Sequence, residues 1–184
     1  MTTPLAQPRP TLNDRTGPDH ARLWGIGGYR PERVVTNDEI CENIDSTDQW
    51  IRDRTGIISR RFAAADETVV DMAAAASGDA LKAAGIAAKQ IGAVIVATVT
   101  HPYQTPSAAA SLAERIGATP AAAFDISAAC AGYCHGIALA NDMIRGGTAE
   151  FVLVVGVEKL SDFTDPNDRG SAFIFGDGAG AAVV

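Results

Sequence analysis

Two short runs constrain this chain most. Residues 93–100 read Ala-Val-Ile-Val-Ala-Thr-Val-Thr, and residues 151–157 read Phe-Val-Leu-Val-Val-Gly-Val. Neither alternates polar with apolar, so each suits a strand buried on both faces. Such strands need helices above and below them. The segments between them have helical spacing, which predicts an α/β fold with a mixed, mainly parallel sheet. Both runs are far too short to span a bilayer.

Capping signals mark where the helices begin. Thr36-Asn37-Asp38-Glu39 opens a helix carrying Ile40 and Ile44, and Ser46-Thr47-Asp48-Gln49 opens another carrying Trp50 and Ile51, which Gly56 stops. Asp66 or Thr68 caps a longer helix that runs to Ala84, with Val69, Met72, Ala76, Ala80 and Ala83 on one face. Further helices are predicted over 107–116 and from Cys130 to about Arg145. Strands are predicted over 22–28, 57–62 and 122–126. Residues 173–175 and 179–184, on either side of Gly176-Asp177-Gly178-Ala179-Gly180, read as a hairpin around a tight turn. Residues 1–20 hold Pro4, Pro8, Pro10 and Pro18 among polar residues without periodicity, and are expected to be a disordered tail. Residues 21–184 form the folded part.

Between the strand at 122–126 and the next helix lies Phe-Asp-Ile-Ser-Ala-Ala-Cys-Ala-Gly-Tyr, residues 124–133. Cys130 has only small neighbours, which let a backbone turn sharply and another molecule approach closely. A thiol at the start of a helix lies in the positive field of the helix N-terminus, which stabilises thiolate. Two readings stand: an activated nucleophile, or a small buried hydrophobe. Cys134 is read as facing the core and Cys41 as a packing residue. Cys130, Cys134 and His135 make a weak metal pattern without a second ligand pair. His101 and His135 are read as structural.

Several function classes are excluded or disfavoured. The net charge is −7 over 184 residues, which argues against nucleic-acid or anionic-membrane binding. Three cysteines and no signal peptide point to a reducing cytoplasm rather than a disulfide framework. The glycines at 176, 178 and 180 do not follow a strand and open a helix, so they are no dinucleotide fingerprint. The chain stops inside an apolar run at Val184, which reads as half of a larger unit.

Five segments together resemble the β-ketoacyl-acyl-carrier-protein synthase III family of thiolase-like condensing enzymes, in its N-terminal half. They are Gly-Gly-Tyr-Arg-Pro at 27–31, Ser-Thr-Asp-Gln-Trp-Ile-Arg-Asp-Arg-Thr-Gly-Ile at 46–57, Phe-Asp-Ile-Ser-Ala-Ala-Cys-Ala-Gly at 124–132, Asp-Pro-Asn-Asp-Arg-Gly at 165–170 and Phe-Gly-Asp-Gly-Ala-Gly-Ala at 175–181. The resemblance implies a two-stage Claisen condensation without a cofactor. Cys130 takes an acyl group from acyl-coenzyme A, and malonyl-acyl carrier protein then loses carbon dioxide and attacks the thioester. It also implies a homodimer, and a His and an Asn supplied by a C-terminal half that this chain lacks. Without them the chain alone is expected to be inactive.

The same resemblance assigns Trp50 and Arg169 to the two faces of the coenzyme A adenine, with Arg54, Ser46 and Gly170 beside them. From its residue type alone, Trp50 is also read as a core aromatic. Arg52, Arg54, Arg60 and Arg61 form a local basic segment for phosphates or an acidic carrier protein, or a merely solvated face. Thr105 matches the residue that closes the acyl pocket of the partner subunit. Ile137, Leu139 and Ile144 are expected on an apolar face that the second half would cover. A starter-unit synthase of polyketide assembly shares these motifs, and hydroxymethylglutaryl-coenzyme A synthase fits the Trp50 and Arg169 segments poorly. The reading from another class is a non-catalytic fragment that keeps the fold and binds a partner.

Overall fold

Four helices start at the hydroxyl residues the sequence offers. In the computed structural model, which describes residues 16–119 and 121–184, Thr36 caps α1 (Asn37–Cys41), Thr47 caps α2 (Asp48–Thr55), Thr68 caps α3 (Val69–Ala84) and Ser107 caps α4 (Ala108–Ile116). Each side chain accepts a backbone N–H of the first turn that has no partner within the helix. At α3 the carboxylate of Asp71 accepts the Thr68 N–H in return. The fifth helix, α5 (Gly132–Gly146), follows Ala131, which makes no side-chain cap.

The strands are β1 (Gly25–Tyr29), β2 (Arg33–Thr36), β3 (Ser59–Phe62), β4 (Ile91–Ala97), β5 (Ala122–Ile126), β6 (Phe151–Lys159) and β7 (Asp177–Val183). Five of them form one sheet in the order β1-β7-β6-β4-β5, and β2 pairs with β3 apart from it. The main sheet is mixed: β4 runs parallel to β5 and β6, while β7 runs antiparallel to β6 and β1.

Side-chain alternation divides the apolar strands between two cores. Val94, Val96, Leu153, Val155, Ala181 and Val183 face α3 and α4, where they meet Met72, Ala76, Ala80 and Leu112. Ala93, Ile95, Val152 and Val154 face α5 and meet Ala140 and Ile144. Burying one large side chain of this kind stabilises the fold by about 1.5–3 kcal/mol. A third cluster of Val35, Ile40, Ile44, Ile51, Ala172 and Phe173 holds the α1–α2 unit to the segment before β7. α3 lies so near β1 that a Cβ on Gly27 would sit 2.2 Å from the Ala76 carbonyl oxygen.

The fold departs from the sequence reading at several points. The first strand is shifted to Gly25–Tyr29, and β2 was not anticipated. The expected hairpin does not form. Residues 173 and 174 lie in a turn and Phe175 carries neither turn nor strand, while β7 is a central strand held on both sides by β6 and β1. Gly178 and Gly180 are therefore strand residues, with Gly180 between Gly28 and Gly156 in the register. The expected disorder at residues 1–15 lies outside the described residues. Residues 16–20 carry neither helix nor strand, and Gly17 sits against the backbone of Ile144 and Arg145.

Candidate active site

The Cys130 turn is made by small residues. β5 ends at Ile126, and a single 3₁₀ turn over Ala129–Ala131 leads into α5. Ala129 has φ +44°, a left-handed conformation that is unfavourable for alanine by about 1–2 kcal/mol. Such backbone strain persists only where the surroundings enforce it. Here the enforcing contact is the close seating of α5 on the sheet. A Cβ on Gly132 would lie 2.9 Å from Ala97 Cβ, and one on Gly136 would lie 2.8 Å from Val154 Cγ1. Gly132, Gly136, Ala140 and Ile144, each four residues from the next, are the buried stripe of the helix.

This packing sets the start of α5 at the carboxyl ends of parallel strands β4 and β5, where open α/β sheets bind ligands. Cys130 is exposed there. The first turn of α5 has no side-chain cap, and its N–H groups make a positive helix end. The buried-hydrophobe reading of Cys130 is thereby set aside.

Two carboxylates brace the strand ends around this turn, and the sequence reading missed both. Asp125 accepts the N–H groups of Ala108 and Ala109, each at 2.8 Å, and fixes the start of α4. Glu158 accepts from Thr100 Oγ1 at 2.6 Å and from the Val99 N–H at 3.0 Å, holding the segment after β4. The available signal was an acidic residue near the end of an otherwise apolar strand.

A second cluster forms around Trp50 on α2. The Arg54 guanidinium carbon lies 4.4 Å from the Trp50 ring centroid and that of Arg169 lies 5.0 Å from it. Phe173 meets the indole edge-on, with centroids 5.5 Å apart. Arg169 Nε also donates to the Asp45 carbonyl at 2.6 Å. Ser46, next in the chain, has a buried hydroxyl without a hydrogen-bond partner among the described residues. Gly170 donates its N–H to Asp168 Oδ1 at 2.9 Å, and that bond with the Ser171 hydroxyl holds the Asp168 carboxyl below the usual carboxylate range. All five residues assigned to coenzyme A are thus brought together, Ser46 and Gly170 through their chain neighbours. Trp50 is half-buried, so it serves the third core cluster with one part and the arginines with another.

The family profile of 3-oxoacyl-acyl-carrier-protein synthase III matches residues 124–184, which begin in β5 and include Cys130, Arg169 and Gly170. Over 173 residues the chain is 58% identical to β-ketoacyl-acyl-carrier-protein synthase III 1 of Streptomyces avermitilis, covering 94% of this chain and 49% of that protein. It is also 58% identical over 168 residues to the synthase III of Streptomyces glaucescens, covering 91% of this chain and 50% of that one. The chain belongs to the β-ketoacyl-acyl-carrier-protein synthase III family. It spans about half the length of the curated relatives it matches. Among solved structures, the priming β-ketosynthase of the R1128 polyketide biosynthetic pathway superposes with a TM-score of 0.91 at 46% identity, covering 95% of this chain and 52% of that one. The 3-oxoacyl-acyl-carrier-protein synthase III of Aquifex aeolicus superposes with a TM-score of 0.85 at 41% identity, covering 88% of this chain and 52% of that one.

Other expectations need correction. Cys134 is exposed rather than core-facing, because the Gly132–Gly136 stripe turns it away from the sheet. Ile144 is buried in the chain's own core and Ile137 packs against it, which leaves Leu139, 40% exposed, as the apolar residue of the outer face. The basic segment is largely committed elsewhere. Arg60 is buried and donates to the Val35, Thr36 and Phe173 carbonyls and to Asn37 Oδ1. Arg61 donates to the Pro31 and Glu32 carbonyls, and Arg52 pairs with Asp48. Arg54 remains as the arginine of that segment at the Trp50 cluster. Cys41 packs in the third cluster, and burial pushes its thiol up.

Thr105 is exposed and lines a cavity of about 510 Å³ with Val69, Val70, His101, Tyr103 and Pro106. His101 sits edge-on to Tyr103, with ring centroids 5.7 Å apart. Among the described residues no group of three His, Cys, Asp or Glu side chains is placed to hold a metal ion, and no helix is long and apolar enough to cross a membrane.

Proposed function

We propose that this chain carries the nucleophile and the coenzyme A cluster of a β-ketoacyl-acyl-carrier-protein synthase III-type acyltransferase. The observation that carries the reading is the exposed Cys130 on a strained turn at the uncapped start of α5. The Cys130 thiolate attacks the carbonyl carbon of an acyl-coenzyme A. The electron pair moves to oxygen, and the Cys130 backbone N–H at the turn donates to that oxyanion; one such donor is worth about 10²–10³ in rate. The carbonyl re-forms as coenzyme A thiolate leaves with a proton. Malonyl-acyl carrier protein then releases carbon dioxide, and the resulting enolate carbon attacks the Cys130 thioester. Thiolate suits both steps, because it is a strong nucleophile and a good leaving group. The His and Asn that steady the enolate in this family are assigned to the second half of the full-length relatives.

Coenzyme A is placed at the Trp50 cluster. Its adenine stacks between Trp50 and Arg169, with Arg54, Ser46 and Gly170 around it. A base between two faces needs about 7 Å, twice an ordinary contact distance, and Arg169 lies 5.0 Å from the indole. Arg169 therefore swings away from Trp50 when the base enters. Thr105 closes the end of the acyl pocket of a second subunit in a homodimer. The chemistry uses no cofactor, and its substrates place it in the cytoplasm. The similarity to a priming ketosynthase supports a second reading, a starter-unit synthase of polyketide assembly with the same first step.

Incubating the chain with acyl-coenzyme A and mapping peptides by mass is the test. The acyl group is expected on Cys130. Label on Cys41 or Cys134 with none on Cys130 contradicts the reading. The same labelling separates the non-catalytic reading, because a fragment that only binds a partner would leave Cys130 unacylated; β-ketoacyl product from residues 1–184 alone is expected to be absent under either reading.

A further inference from the structure

Arg60 on β3 is only 7% exposed, and its guanidinium is shared among three segments of the chain. Nη1 donates to the Val35 carbonyl at 3.3 Å and to the Thr36 carbonyl at 3.1 Å, where β2 meets α1. Nη2 donates to Asn37 Oδ1 at 2.6 Å and to the Phe173 carbonyl at 3.0 Å. We propose that Arg60 is a positioning residue for coenzyme A, whose guanidinium fixes the separation between α2 and the turn holding Phe173. This inference rests on the placement of coenzyme A at the Trp50 cluster.

The two faces assigned to the adenine come from distant parts of the chain. Trp50 stands on α2, and Arg169 lies in the turns that run to Ile174. Phe173, in those turns, meets the indole edge-on. A direct polar tie between the two parts runs from Arg169 Nε to the Asp45 carbonyl. It belongs to the side chain that has to move when the base enters. Arg60 supplies a tie that stays in place. On one side it holds the backbone of Phe173. On the other it holds Asn37, whose Nδ2 donates to Asp48 Oδ1 in the first turn of α2 and to the Ile57 carbonyl beyond its end, each at 2.8 Å. One guanidinium and one amide thus connect the Phe173 turn to both ends of α2, and Arg169 swings against a fixed frame.

Positive charge alone does not make this bridge. Arginine offers a planar fork of donors in fixed directions, whereas a lysine ammonium is a single point with three donors. Four acceptors spread around two nitrogens exceed its reach. Arg60→Lys therefore keeps the charge and removes the bridge, and Arg60→Met removes both. Each leaves buried carbonyls without a donor, so both variants are expected to melt at lower temperature. A residue that only stabilised the fold would do no more than that. A positioning residue also changes which acyl donors the enzyme uses well.

The test is kcat/KM for two donors, acyl-coenzyme A and an acyl thioester of N-acetylcysteamine, in a full-length synthase III carrying this half. Circular dichroism establishes which variants fold. Arg60→Lys and Arg60→Met are expected to lower the value for acyl-coenzyme A by about tenfold, at the low end of what one stacking face is worth. The value for the short thioester is expected to stay unchanged. Asn37→Ala cuts the path to α2 while Arg60 keeps its three carbonyls, and the same selectivity is expected at smaller size. Equal loss with both donors, or loss with neither, in a folded Arg60 variant overturns the proposal. Where neither Arg60 variant folds, the same result in Asn37→Ala overturns it. Trp50→Ala separates this inference from the reading beneath it. Unchanged use of acyl-coenzyme A by Trp50→Ala removes the ligand from that cluster, and the proposal falls with it. Selective loss in Trp50→Ala without selective loss in the Arg60 variants overturns the positioning role alone.

Discussion

The Cys130 turn and the Trp50 cluster are built in opposite ways. The first is made by backbone and small residues. Its shape is enforced by a glycine stripe pressed on the sheet, and its thiol stands open. The second is made by long side chains that already satisfy one another. Arg169 lies on Trp50 and is tied to the Asp45 carbonyl. A site made by backbone is formed before any ligand arrives. A site made by stacked side chains must first give up contacts it has. The contrast separates a preorganised reaction centre from a binding cluster that has to open.

The largest expected effect follows from removing the thiol. Cys130→Ala is expected to lower condensing activity of a full-length synthase III carrying this half by about 10³-fold or more, as loss of a nucleophile does. A steady-state assay checks this, and retained activity would move the chemistry to another residue. Gly136→Val tests the packing under the turn. Its Cβ would meet Val154 at close range, so destabilisation of about 1–3 kcal/mol is expected. Calorimetry should show the midpoint falling by about 2–4 °C per kcal/mol, with slower acylation of Cys130. An unchanged midpoint would mean that α5 is not seated as tightly as described.

The Trp50 cluster should respond in binding rather than in chemistry. Trp50→Ala and Arg169→Ala are each expected to weaken acyl-coenzyme A binding by about 1–3 kcal/mol, the worth of one stacking face. Calorimetric titration decides, and unchanged affinity in both would return Trp50 to the core alone.

The smallest effect is a pH dependence. The Ser171 hydroxyl and the Gly170 N–H hold the Asp168 carboxyl low, and Arg52 and Asn37 do the same for Asp48 at the start of α2. A carboxyl lowered in the folded state gives stability that is present above its unfolded value, near 4, and lost as pH falls through the folded value. Trp50 fluorescence, in a Trp24→Phe background, is expected to shift in that acid window. Asp168→Asn should flatten part of the change, and an identical titration would remove Asp168 from the cluster.

The two regions also differ in how far the sequence revealed them. Caps at Thr36, Thr47, Thr68 and Ser107 are local, because a hydroxyl and the N–H it accepts lie within three residues. The strand at Ala122–Ile126 and the turn after it were legible for the same reason. β2 was not, since Arg33–Thr36 buries only Val35 and carries almost no pattern. The glycine-rich start of β7 looked like a turn because glycine signals freedom, and only the neighbouring strands on both sides show why it is extended. Cys134 was misplaced because the buried stripe of α5 starts with two glycines, which give no hydrophobic signal. The Arg169–Trp50 contact joins residues far apart in the chain, and no spacing rule finds such a pair.

One measurement tests the contrast between a formed reaction centre and a cluster that must open. Acylation of Cys130 is timed by mass with two donors, acyl-coenzyme A and an acyl thioester of N-acetylcysteamine that has no nucleotide, in wild type and in Arg169→Ala. The account predicts that Arg169→Ala slows labelling by acyl-coenzyme A and leaves labelling by the short thioester unchanged. Equal slowing with both donors would contradict it, because the Trp50 cluster would then be shaping the Cys130 turn itself.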